Sequence, residues 1–240
     1  MHWKPEEADV ILPWFHRNRM ETGNTMKRII TIVVNLFIAV STLTIVLINM
    51  IDPGKESDSS ITGFTGAENL RFFTVDSNIL MAVCAVIFLV FYCMRKDVFP
   101  KWLSVFMLTA AASVGVTFFT VVCFLGPGQA ALGRGYFSLF RGSNLFFHLI
   151  NPVLGMADLI FLAPQYHYTV RSCIYGVIPT AVYSFVYAAM VLTRRWPDFY
   201  NFTFGGHYWM TPMVIIIFVL LSFVISVILS RTHNKVQSKH

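Results

Sequence analysis

Apolar residues in this chain gather into six long runs, at roughly 29–51, 70–94, 102–125, 143–163, 171–191 and 210–230. Each run is long enough to cross a hydrocarbon core about 30 Å thick at about 1.5 Å of rise per helical residue. None alternates polar and apolar positions as the strands of a membrane barrel do. Lipid offers no partner to a backbone amide, so each run must satisfy its hydrogen bonds internally as a helix. The pattern therefore predicts an all-α membrane protein of six transmembrane helices. It divides the chain into an N-terminal segment (1–28), the six-helix domain (29–230) and a short tail (231–240), with no room for a separate soluble domain. The pattern is interrupted at the start of the second run. There "LRFFTVDSNIL" (70–80) sets Thr74, Asp76, Ser77 and Asn78 where lipid should begin.

Composition agrees with the pattern, since 56% of the 240 residues are hydrophobic and only 12% charged, against about 25% charged in soluble domains. The net charge of +6 invites a nucleic-acid reading, but its distribution points elsewhere. Six spans put both termini on one side, and that side collects twelve of the eighteen Lys and Arg residues. The positive-inside rule then makes both termini cytoplasmic and leaves no nucleic-acid partner to expect. The expected location is a multi-pass membrane protein, in the plasma membrane of a bacterium or in the endoplasmic reticulum or plasma membrane of a eukaryote. Cys84, Cys93, Cys123 and Cys173 lie in or beside the runs without metal-ligand spacing. No metal site or cofactor is predicted.

Ionisable groups within a bilayer are costly and are functional candidates by default. Within the runs, leaving aside the flanking charges at their ends, these are Asp76, His148 and Asp158. Counted from the outer ends of their helices, Thr74 lies about 6 Å deep and His148 about 7–8 Å deep, in one layer; Asp158 is about 15 Å further along. At 100° per residue, Asn144, His148, Asn151, Gly155 and Asp158 form a stripe about 80° wide. On the second run Arg71, Thr74, Ser77 and Asn78 share a face, with Asp76 turned away. If the two faces meet, they enclose a polar pocket walled by Thr117 and Thr120. Its lid is the 192–209 loop, and Arg71, Arg195, Asp198 and His207 form its rim. Singly, each residue has a structural reading: threonine bonds its own helix, and asparagine and serine tie helices together.

A hydroxyl beside an imidazole is the minimum for nucleophilic acyl transfer, with the imidazole taking the hydroxyl proton as oxygen attacks a carbonyl. Thr74 is then the nucleophile and His148 the base. Ser77, Asn78, Asn144 and Asn151 are candidates for the substrate or oxyanion pocket, where one donor is worth about 3 kcal/mol. A membrane lipid or lipid-like acyl ester is the partner such a depth suggests. Two other functions fit the same residues: a non-catalytic lipid-binding or transport protein, or a metal-dependent lipid hydrolase using His148 and His207.

The blocks "FFTVDSN" (72–78), "SNLFFHLINP" (143–152) and "RRWPDFYNF" (194–202) resemble, in order, those of the androgen-induced family of six-span membrane proteins. That family includes threonine hydrolases of fatty acid esters of hydroxy fatty acids and many bacterial relatives. The resemblance covers most of the chain from the second run to the sixth. It implies that Thr74 and His148 are the catalytic pair, with Asn144 also matching.

Overall fold

A computed structural model describes the backbone of residues 8–51, 66–94 and 99–239, with side chains from residue 25 onward. The polar turn at 52–60 and most of the predicted N-terminal segment's side chains lie outside the described residues. Six helices are long and apolar enough to cross a membrane. They are α1 (Thr25–Ile51, the apolar part of a helix running Ala8–Ile51), α2 (Phe73–Cys93), α3 (Lys101–Ala131), α4 (Ser143–Leu162), α5 (Val170–Leu192) and α6 (Tyr208–Gln237). No strand occurs among the described residues. The fold is the predicted all-α, six-span membrane architecture.

Hydrogen bonds fix which helix ends lie together. Asn234 near the end of α6 exchanges two bonds with the backbone of Tyr168, just before α5, and Gln237 donates to Ala163 O, just after α4. This is the terminal end of the bundle. At the other end Tyr200, in the connection from α5 to α6, accepts from the backbone N–H of Phe73 at the start of α2. We call this the loop end.

Packing differs from that of a soluble bundle in what is left outside. On α1 the buried side chains are Thr31, Asn35, Ile38, Ala39, Thr42 and Ile45, at helical spacing, while Val33, Leu36, Val40, Leu43 and Leu47 are exposed. Lipid accommodates the apolar face, and the polar side chains must find partners inside. Every residue from Ala110 to Thr117 of α3 is buried, so this helix is enclosed on all sides and forms the centre of the bundle. Its small residues allow the close approach: a Cβ at Gly115 would meet Ile225 Cγ2 at 2.9 Å. Between α5 and α6, Gly176, Thr180 and Ser184 face a serine series at the same spacing, Ser222, Ser226 and Ser230. Thr180 donates to Ser222 Oγ at 3.2 Å, and Ser222 to Gly176 O at 3.2 Å.

Three helical stretches widen to π geometry: Val121–Leu125 in α3, and Phe146–Ile150 and Asp158–Leu162 in α4. Each ends two residues before a proline: Pro127, Pro152 and Pro164. Proline lacks the N–H that would close an α turn, and its ring presses on the carbonyl four residues back. Inside the helices those carbonyls belong to Cys123 and His148; Pro164 instead follows the end of α4, where Ala163 has already turned to extended backbone. A wider turn moves the carbonyl aside and transfers bonding to the five-residue spacing, as in Ala163 N–H to Asp158 O at 2.9 Å. Pro179 inside α5 has no such turn.

Candidate functional site

The first turns of α2 are held by their own polar residues and by the loop. Asn78 is fully buried, and its amide nitrogen donates to Thr74 O at 2.7 Å and to Phe147 O of α4 at 3.1 Å. Thr74 and the residue preceding His148 are therefore neighbours across the helix interface, in the one layer that depth counting predicted. Ser77 reaches both Thr74 O and the Thr117 hydroxyl of α3, at 3.1 and 2.9 Å.

Beside Thr74 lies a cavity of about 40 Å³ bounded by α2, α3, α5, the α5–α6 loop and α6. It has room for a water or two, each needing roughly 10–15 Å³ by this measure. Its polar wall is Thr74, Thr117, Thr120, Thr180, Tyr183, Ser184 and Tyr200. The predicted walls Thr117 and Thr120 are thus in place. The Thr120 hydroxyl is buried without a hydrogen-bond partner, an orphan polar group beside the space. Tyr200 faces Thr74 across the cavity wall, and its hydroxyl accepts from the Phe73 N–H beside Thr74. Burial pushes its phenol up to about 12, so it stays an uncharged hydroxyl at neutral pH.

The loop that delivers Tyr200 is organised by Asp198. Its carboxylate accepts from Tyr187 O–H and the Phe202 and Thr203 backbone N–H groups, each at 2.8 Å, and from the Thr203 hydroxyl at 2.6 Å. Tyr187 in turn accepts from the Tyr200 N–H at 2.8 Å. Burial raises the Asp198 carboxyl, but these four hydrogen bonds outweigh it and hold the group below the ordinary carboxylate range.

His148 sits in the first π turn of α4, where its ring Nδ1 contacts Leu139 O at 2.8 Å. A carbonyl can only accept, so Nδ1 carries the proton, and in the neutral ring Nε2 is left with its lone pair. The ring is buried except for a sliver, 8% exposed, and Nε2 is not among the buried polar atoms lacking a partner. Among the described residues no hydrogen bond joins His148 to Thr74, and His148 is not on the cavity wall.

Several predicted roles change. The uniform helical phase assumed for α4 fails, because each π turn spends an extra residue. The stripe consequently splits. Asn151 donates to Thr42 Oγ1 and accepts from Ser41 on α1, at 3.1 Å each, and Asp158 bonds Asn35 on α1. Asn151 therefore ties α1 to α4. Asn78 has both amide hydrogens committed to carbonyls and is likewise a clamp. Ser77 reaches the site through Thr117. Asn144, one turn before His148, is half-buried and has no side-chain hydrogen bond among the described residues. On the rim, Arg71 pairs with Glu68 at 3.0 Å and lies over Trp196. Asp198 is turned into its own loop, and Arg195 and His207 are exposed. The loop's contribution to the cavity is Tyr200 and Phe202.

Sequence reading missed Tyr200, in a loop whose aromatic density suits the headgroup level, and Tyr183, inside the fifth run. It also missed His233, fully buried because α6 runs seven residues past its apolar stretch to Gln237. The run "RRWPDFYNF" carried a signal, since its Asp, Pro and Asn are turn-forming residues that could organise a loop. No protein-family model, curated protein or solved structure matches this chain.

Proposed function

We propose that this chain is an integral membrane hydrolase of lipid acyl esters, with Thr74 as nucleophile and His148 as general base. The observation that carries the reading is the fixed tautomer of His148: Leu139 O holds the proton on Nδ1, leaving Nε2 basic beside the helix clamped to Thr74. This is the orienting arrangement a general base requires. In the closed Michaelis complex Nε2 takes the Thr74 proton as Oγ1 attacks the ester carbonyl carbon, which requires His148 to approach Thr74 when substrate binds. The imidazolium returns that proton to the departing alkoxide. Water, deprotonated by the same nitrogen, then attacks the acyl-threonine, releases the fatty acid and restores the hydroxyl. The neutral Tyr200 phenol, on the cavity wall with Thr74, and the Asn144 amide are the donors we assign to the developing oxyanion. The resemblance of the three sequence blocks to membrane threonine hydrolases supports the same pair.

Purified protein should hydrolyse acyl esters and take up a fluorophosphonate label. Thr74→Ala and His148→Ala should each lower turnover by about 10²–10⁴-fold and lose the label, while Thr74→Ser should retain part of it. Labelling that survives in Thr74→Ala would sink the assignment. The separation of His148 from the cavity wall favours one other reading, a non-catalytic pocket for an amphiphile. Saturable lipid binding without turnover would select it. Metal-dependent hydrolysis has no comparable support: among the described residues no group of three His, Cys, Asp or Glu side chains is placed to hold an ion.

A further inference from the structure

Toward the terminal end, α1 and α4 meet through Asn35 and Asp158, each 1% exposed. Asn35 Nδ2 donates to Asp158 Oδ1 at 2.8 Å and to Thr31 O of its own helix at 3.0 Å. The remaining oxygens of the same two groups, Asn35 Oδ1 and Asp158 Oδ2, are both buried without a partner. Two orphan acceptors on a pair already joined by one bond lack one thing, a donor. Burying acceptors unpaired is costly, and burying an unpaired carboxylate charge costs far more.

The titratable neighbours supply no compensation. On α2 a titratable group on the buried side is Cys84, a free, uncharged thiol. Tyr168, before α5, donates its hydroxyl proton to Ser104 O. His233 on α6 gives its Nδ1 hydrogen bond to Leu159 O at 2.7 Å and packs edge-on against Tyr168. Lys27 of α1 is exposed and acts on His233. Between Leu103 and Thr120, α3 has no titratable side chain. Among the described residues no ion pair reaches Asp158.

We propose that Asp158 and Asn35 form an intramembrane proton-binding site, in which a proton on Asp158 Oδ2 is donated to Asn35 Oδ1. A carboxylic acid and a carboxamide then pair through two hydrogen bonds in a planar ring, and the bound proton latches α1 to α4. The latch lies on the seam that also carries the Asn151–Thr42 tie. Removing the proton leaves a charge and an orphan amide oxygen in that seam and loosens α1. This site is separate from the Thr74 cavity and does not depend on the catalytic reading.

The test uses the near-isosteric change Asp158→Asn, whose amide N–H replaces the acid O–H and keeps both bonds. The full chain in detergent micelles should then melt within about 2 °C of wild type. Asp158→Ala and Asn35→Ala should melt at least about 4 °C lower. Infrared spectra at neutral pH should show a protonated-carboxyl C=O band in wild type that Asp158→Asn removes. An Asp158→Asn protein as unstable as Asp158→Ala would show an anion at this position and overturn the proposal. So would the absence of that band, a readout that stands even where an alanine variant fails to fold.

Discussion

Single residues in this bundle act mainly by how closely they let backbones approach or by which orphan group they satisfy. Gly176 shows the first effect, because a Cβ there would collide with Ser226 Oγ across the α5–α6 interface. Gly176→Ala should therefore cost about 1–3 kcal/mol through overpacking. Gly128, in the last turn of α3, has nothing within 4 Å of the same added atom. Gly128→Ala should be neutral or stabilise by about 0.4–1 kcal/mol by restricting the unfolded chain. Thermal unfolding of the two variants side by side checks the contrast, and equal shifts would contradict it. Asn78 shows the second effect. Its residue type advertised an interhelical role, but which carbonyls it would hold depended on α4 lying alongside.

At the scale of elements, the α5–α6 loop depends on one carboxylate. Asp198 is held below the ordinary carboxylate range by its hydrogen bonds. A folded value below the unfolded one contributes stability that is complete above the unfolded value, about 3.9. That contribution is lost as pH falls through the folded value. The amides of Phe202 and Thr203 should stay protected from hydrogen exchange at neutral pH and lose protection on acidification below that range. Asp198→Asn should leave them unprotected throughout, since an amide that replaces one acceptor oxygen with a donor cannot serve four donors. Protection unchanged in Asp198→Asn would remove Asp198 as the loop's organiser. The π turns belong to this scale too. The prolines that cause them are plain in the sequence, and reading their spacing against the helix phase would have split the α4 stripe in advance.

For the whole molecule, helix placement determines what faces lipid and what faces protein. Between Val33 and Ile51 the exposed surface of α1 is almost entirely apolar, while its buried stripe mixes Thr31, Asn35 and Thr42 with Ile38, Ala39 and Ile45, as expected where lipid can cover apolar side chains and polar ones need partners inside. The basic residues gather at the end that holds both termini, so the loop end should face away from the cytoplasm. With Cys93 and Cys123, the two exposed cysteines, changed to serine, a cysteine at exposed Arg194 should react with an impermeant maleimide in intact cells. A cysteine at Lys239 should react only after permeabilisation. The reverse result would invert the topology and place the Thr74 cavity on the cytoplasmic side.

The six spans followed from sequence alone because the bilayer imposes one length scale and one way to satisfy the backbone, and runs of apolar residues meet both without reference to their neighbours. The shared depth of Thr74 and His148, and the inward face of Thr74, Ser77 and Asn78, needed only helical rise and phase. Which helix each polar residue would meet was a different matter. Asn151 and Asp158 turned toward α1, His148 toward Leu139, and Tyr200 came down beside Thr74 from a loop. Hydrogen-bond partners between helices are set by the order in which the helices pack and by the extra residue in each π turn, neither of which a single helix's periodicity contains. The sequence determined that polar groups would be buried; only the tertiary structure decided with whom.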